Sequence, residues 1–313
     1  MKKTLIISAY IILLSVTACH NKLLGQTKHI EYIISKHNGR IILAYKLFEA
    51  YLTSDRTWKN YKTNVLDACP EMQEAHDKAV SWGTIDSVKF RNDVTGFKKE
   101  DWDKYFEQYN IKTLNYLFDT LISKADMTLP PLTHKPVDLC LFLPYGGCYI
   151  IPGNEKNTIF ISLFIDPVDA PKIMIHEYAH NLHIQRRPLE PFNLHREIVS
   201  EGMAVYLTTL ILNDPGLTKS IPFMTESSVQ WCFANEHIIK ASIKSELNDT
   251  TFNCLKKFIA DGAIATPPKG FVEKTGYFVG FRIIEACIKK GMKLEDICKL
   301  DSDEVITHSG YFN

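Results

Sequence analysis

The sequence predicts an α+β fold, mostly helical, with a small sheet packed on one helix of unusual composition. Three observations carry that expectation. Apolar residues recur at helical spacing over most of the chain, three short apolar runs lie between positions 138 and 164, and the segment after them reads His176-Glu177-Tyr178-Ala179-His180 within an apolar stretch. Hydrophobic residues make up 45% of the 313 and charged residues 23%, the balance of a chain with a sizeable core. Lysine plus arginine equals aspartate plus glutamate at 36 each and no basic stripe occurs, so nucleic acid is not an expected partner.

At the N-terminus, Lys2-Lys3 precede an apolar run from Leu5 to Val16 that is short for a transmembrane helix. The run ends Val16-Thr17-Ala18-Cys19, which looks like a bacterial lipobox. On that reading residues 1–18 are a signal peptide, Cys19 is lipidated, and the protein is an exported bacterial lipoprotein held at a membrane through Cys19. The same residues also suit a plain secretory signal cleaved nearby, or an uncleaved anchor. No second span of about 20 apolar residues follows, so the remainder is expected to be soluble and tethered.

The next hundred residues read as helical, with the pattern clearest over Ile30 to Leu52 and again over Trp102 to Leu121, where Tyr105, Phe106, Tyr109, Leu114, Leu117 and Phe118 recur. The tract Leu129-Pro130-Pro131-Leu132-Thr133-His134-Lys135-Pro136 is the clearest break, and it divides the chain into a mainly helical region, 19–135, and a second region, 136–313. The first suits either a wall of a cleft or a spacer from the membrane. Strands are expected near 138–143, 148–151 and 158–164. Beyond Gly216, helices are expected around 227–243, 249–260, 277–290 and 293–299. Of eight cysteines, lipidation of Cys19 would leave seven. Cys140 and Cys148 flank Pro144-Tyr145-Gly146-Gly147 and suit a bridge across a hairpin. No C-x-x-C pair occurs, which argues against a structural zinc finger.

The pentapeptide at 176–180 is H-E-x-x-H. Histidines four apart lie on one helix face, one turn above the other, and can grip a single metal ion. Glu177 is a quarter-turn away, where a carboxylate can act on water beside that ion without being a ligand. Asp166-Pro167-Val168-Asp169-Ala170-Pro171 supplies helix-starting residues, and Arg186-Arg187-Pro188 supplies a stop. A catalytic zinc takes three protein ligands. Glu201, in Ile198-Val199-Ser200-Glu201-Gly202-Met203-Ala204, is the best third, on a second helix running to Leu212, and Gly202 beside it would let two helix backbones approach. His183, His195 and Glu197 are the rivals. His195 and Glu197 also suit partners of a ligand imidazole, or solvated residues at a helix start. An oxyanion donor is also needed, and Tyr277 in Gly276-Tyr277-Phe278-Val279-Gly280 is the first choice, ahead of His237 and His308.

H-E-x-x-H followed about twenty residues later by E-G-x-A resembles the arrangement of the gluzincin metallopeptidases. More closely, the chain resembles an uncharacterised bacterial family of predicted zinc-dependent proteases that read H-E-Y-x-H and then (S/A)-E-G-(L/M)-A. Leu139 to Pro144, Gly146-Gly147 and Thr158 to Leu163 look like that family's strands and glycine turn. Thr275 to Arg282 and Leu294 to Ile297 look like its tail, so the likeness covers roughly Pro136 to Tyr311. The resemblance implies a zincin-like metallopeptidase fold with one catalytic zinc ion, His176, His180 and Glu201 as ligands, Glu177 as general base, and a peptide or protein substrate. By the same resemblance, and by position, Phe160 to Leu163 is the candidate edge strand for pairing with substrate backbone. A G-A-M-E-N signature is missing, which argues against the zinc aminopeptidases. The rival reading is an envelope lipoprotein that keeps such a fold but works as a binding, adhesion or assembly module. A third is a zinc hydrolase acting on a non-peptide bond.

Overall fold

The computed structural model describes residues 30–81, 85–142, 148–153, 155–217 and 219–313. Cys19, the signal segment 1–18 and residues 143–147, where a glycine turn is expected at Gly146-Gly147, lie outside the described residues. The fold is α+β and mostly helical, around one five-stranded mixed sheet. Its strands are β1 (Tyr32–Ile34), β2 (Arg40–Ile42), β3 (Val137–Phe142), β4 (Cys148–Pro152) and β5 (Asn157–Ser162), in spatial order β1-β2-β3-β5-β4. β2 and β3 run parallel, as do β3 and β5, while the outer strands β1 and β4 are each antiparallel to their neighbours.

The first two strands correct the helix expected over Ile30 to Leu52. Only Tyr45–Leu52 is helical, as α1; what precedes it is a hairpin. Asn38 takes the left-handed backbone conformation (φ 60°) before Gly39, and Ser35 N–H donates to Gly39 O at 2.9 Å. An Asn-Gly turn between β-branched pairs is a hairpin signal, and Ile33, Ile41 and Ile42 fit helix and strand periods equally. Ile41 and Ile42 then pair in register with Leu139 and Cys140. The sheet therefore crosses the proline-rich tract at 129–136. An ion cluster crosses with it: Arg40 Nη2 lies 2.7 Å from Glu71 and 2.6 Å from Asp138, and Lys156 Nζ reaches the same two carboxylates at 2.9 and 2.7 Å.

Between β2 and β3 run α2 (Trp58–Tyr61), a π-turn over Lys62–Leu66, α3 (Pro70–Ser81), α4 (Ser87–Gly96), α5 (Lys99–Phe106) and α6 (Ile111–Thr128). They close on Phe48, Tyr51, Tyr61 and Trp102, whose rings meet mostly edge to face. The single helix expected over Trp102 to Leu121 is two, because the Asn110 side chain accepts from Thr113 N–H at 3.1 Å and starts α6 afresh.

After β5 come α7 (Ala170–Ile184), α8 (Leu194–Leu212), α9 (Glu226–Ala234), α10 (Glu236–Lys244), α11 (Phe252–Phe258), α12 (Thr275–Lys289), α13 (Leu294–Ile297) and α14 (Ser302–Ser309). The expected helix over 227–243 is broken at Asn235. α7 packs on β4, β5, α6 and α8, and α8 packs in turn on α12. Gly202 has the close-approach role expected of it, but the backbone it admits is that of α12. A Cβ at Gly202 would stand 2.2 Å from the Gly280 carbonyl carbon, and one at Gly280 2.1 Å from the Ile198 carbonyl oxygen.

Two expectations fail on strand order. β5 lies between β3 and β4, so Cys140 on β3 and Cys148 on β4 are two strand spacings apart, about 9.5 Å, beyond the roughly 7 Å Cα separation a disulfide allows. Both are free, as are Cys69, Cys232, Cys254, Cys287 and Cys298. Phe160 to Leu163 is likewise not an edge: β5 is paired on both sides, and the edge beside α7 is β4. No helix among the described residues is long and apolar enough to cross a membrane.

Candidate metal site

α7 begins where the sequence places it. Asp166 Oδ1 accepts from Val168 N–H at 2.9 Å, Pro171 sits in the first turn, and Asp169 pairs with Lys172 at 2.8 Å. At its other end Arg186 Nη1 donates to Leu182 O at 3.0 Å, covering a carbonyl the helix leaves unpaired. Asn193 caps α8 by accepting from Arg196 N–H at 2.8 Å, and left-handed Asn213 ends it. The two helices are thus fixed in length.

Their facing sides bring three donors together. His176 Nε2 lies 2.9 Å from Glu201 Oε2, His180 Nε2 3.4 Å from the same oxygen, and the two imidazole nitrogens 3.2 Å from each other. The rings are 4.8 Å apart and nearly perpendicular, and the three donor atoms all lie within 4.8 Å of one another. Four-coordinate zinc, with bonds of about 2.0–2.1 Å, places its ligand atoms roughly 3.3 Å apart. The observed separations bracket that value, and two histidines with a carboxylate are a donor set zinc accepts. The residues fit the ion.

The electrostatics agree with the geometry. Burial pushes the His176 imidazole down to about 4, against the hydrogen bond with Glu201, and so favours the neutral ring that a metal ligand requires. Burial would push the Glu201 carboxyl up, but the two imidazoles hold it well below its ordinary range. His180 is raised: burial opposes its charge, and Glu201 and Glu177 outweigh that. Glu177 is itself buried, and desolvation lifts its carboxyl to about 7; Ile150 N–H, on β4, donates to it.

Tyr277, from the first turn of α12, stacks on His176 with ring centres 5.6 Å apart and planes 20° from parallel. Burial, then the charge of Glu201, raises its phenol well above the usual value, and its hydroxyl hydrogen-bonds that carboxylate. The rivals for the third donor stand elsewhere. His183 is buried with Nδ1 unpartnered, His195 Nδ1 faces Asp303 at 3.5 Å, and Glu197 pairs with Arg196 at 3.0 Å. His237 and His308 are exposed on outer helices.

Two residues at the site escaped the sequence reading. Ser200 Oγ lies 3.4 Å from His180 Nδ1, and Arg187 Nη1 lies 3.4 Å from the same hydroxyl. Its position next to Glu201 was the only signal. Lys274 is buried beside Tyr277, with its ammonium 4.4 Å from the ring centre and 3.1 Å from Asp261. A lysine in a loop before a helix carries no sequence signal of that kind.

Residues 151–307, just over half of the chain, match the family described as "Predicted Zn-dependent protease (DUF2268)". The chain belongs to that family, and its fold is zincin-like. No curated protein and no solved structure matches it.

Proposed function

We propose that this protein is a zinc-dependent peptidase of gluzincin type that hydrolyses peptide bonds and is tethered to the bacterial envelope through Cys19. The observation that carries the reading is the convergence of His176, His180 and Glu201 on one point, with the buried carboxyl of Glu177 one residue from the first of them. Those three residues would hold one zinc ion, which would supply Lewis acidity toward water and a peptide carbonyl.

The chain's own groups do the rest. Glu177, lifted toward neutrality by desolvation, takes a proton from the attacking water and returns it to the leaving amine. Tyr277, whose phenol keeps its proton, donates to the oxyanion of the tetrahedral state. The outer edge of β4 supports backbone pairing with an extended substrate, because β4 is paired on one side alone, with β5, and Ile150 on it reaches Glu177. A strand pairing there would run its carbonyls past the general base.

A quenched fluorescent peptide library, offered to the full chain, tests the reading. Cleavage is expected with zinc, lost on chelation, restored by zinc, and absent in a Glu177→Gln variant that keeps its metal. Wild-type turnover by Glu177→Gln, or no cleavage by zinc-loaded protein, would contradict it.

A further inference from the structure

Lys274 is buried to 6% exposure, yet the described residues give its ammonium one oxygen partner, Asp261 Oδ2 at 3.1 Å. Its other neighbours are two aromatic rings, Tyr277 with its centre at 4.4 Å and Phe223 at 5.1 Å. An ammonium has three N–H donors, and a buried one is costly unless oxygens satisfy them. Rings stabilise the charge but leave donors open. Backbone geometry adds a second, independent observation. Lys274 and Phe223 both sit in the left-handed region, at φ 59° and 60°, which an aromatic or a long side chain rarely adopts. Strain of this kind persists where surrounding structure enforces it, and it gathers at ligand clamps. Here the two strained residues face each other, with half-exposed Phe223 and Asp261 on the outside and the His176–Tyr277 stack on the inside.

We propose that Lys274 is an anion receptor beside the metal site, binding a carboxylate of the peptide substrate. The ring separations put the ammonium within about 10 Å of the His176 ring centre. Two extended residues span roughly 7 Å, so a carboxylate one or two residues beyond a scissile bond at the three donors reaches it. That carboxylate is either the free C-terminus of a short peptide or an acidic side chain at the same distance. Asp261 is the internal stand-in, covering the ammonium until substrate displaces it. This assignment rests on the zinc peptidase reading above and adds the substrate class to it.

Calorimetric titration of zinc-loaded full-length protein tests it without requiring turnover. Three peptide hydroxamates of equal length serve as probes: one with a free C-terminal carboxylate, its C-terminal amide, and the amide with aspartate at the last position. The free carboxylate or the aspartate form is expected to bind about tenfold or more tighter than the plain amide. The form that gains identifies the source. That preference is expected to vanish in Lys274→Met, persist in Lys274→Arg, and grow in Asp261→Asn, where the competing anion is gone. A lysine that only held the fold would leave the Asp261→Asn preference unmoved. Equal binding of all three probes to protein carrying zinc, or an unchanged preference in Lys274→Met, would overturn the assignment alone, whereas no binding of any probe to zinc-loaded protein would overturn the peptidase reading with it. Absence of zinc from the folded wild type, measured on the same samples, would overturn the peptidase reading and this inference with it.

Discussion

The two helical regions of this molecule are buried by opposite means. The helices between β2 and β3 close on aromatic rings, with Phe48, Tyr61, Trp102 and Phe118 fully covered and few polar groups among them. The α7–α8–α12 layer instead buries His176, Glu177, Asn181, His183 and His195, and within it the α8 and α12 backbones meet at Gly202 and Gly280. Apolar burial is favourable and loosely directional, whereas polar burial is unfavourable unless each group meets its partner. The aromatic region should therefore tolerate change in proportion to volume. The polar layer should fail at single atoms. That contrast separates what holds the chain together from what it does.

The largest effect is expected at Glu177. Replacement by glutamine should lower turnover about 10²- to 10⁴-fold with zinc content and melting temperature nearly unchanged, checked by steady-state kinetics beside metal analysis. Next comes Gly280→Ala, one methyl placed 2.1 Å from the Ile198 carbonyl oxygen. It should destabilise by about 3 kcal/mol in denaturant unfolding and weaken zinc binding, since α8 must shift to make room. Ser200→Ala removes the hydroxyl facing His180 Nδ1 and should weaken zinc about tenfold in chelator competition while the fold stays intact. In the aromatic region, Phe48→Leu should cost roughly 1–2 kcal/mol and leave zinc affinity alone. An Phe48→Leu variant that lost metal as readily as Gly280→Ala would erase the contrast.

The smallest effect concerns pH. Burial pushes the Glu71 and Asp138 carboxyls up, but Lys156 and Arg40 outweigh it and both lie below their ordinary values. Groups whose folded pKa is depressed contribute stability above the unfolded pKa, near 4, and lose it as pH falls through the folded value. Below about pH 4 wild type should thus lose stability more steeply than Asp138→Asn, as chemical unfolding at several pH values would measure. Parallel curves would mean the cluster contributes nothing to folding.

Much of the polar layer was legible in the sequence, because metal chemistry demands few residue types at fixed spacing. His176, His180 and Glu201 were readable from helical period and ligand type, and the structure does bring them together. Gly202 was readable as a close approach but not its partner, since Gly280 lies on a helix 78 residues on and periodicity holds no record of which helices meet. Strand order was illegible for the same reason. Nothing local says that β5 inserts between β3 and β4, so the Cys140–Cys148 bridge and the Phe160 to Leu163 edge were both misplaced. Ile30 to Leu52 failed differently: its isoleucines fit two periods, and the Asn38-Gly39 turn should have decided between them.

Zinc stoichiometry tests the central claim most directly. The full chain and its Glu201→Ala variant would be dialysed against buffered zinc and analysed by atomic emission, with circular dichroism confirming that each is folded. The account predicts one zinc per wild-type chain, and loss or sharp weakening in Glu201→Ala. A folded wild type that takes up none, or a variant that binds as tightly as wild type, would contradict it.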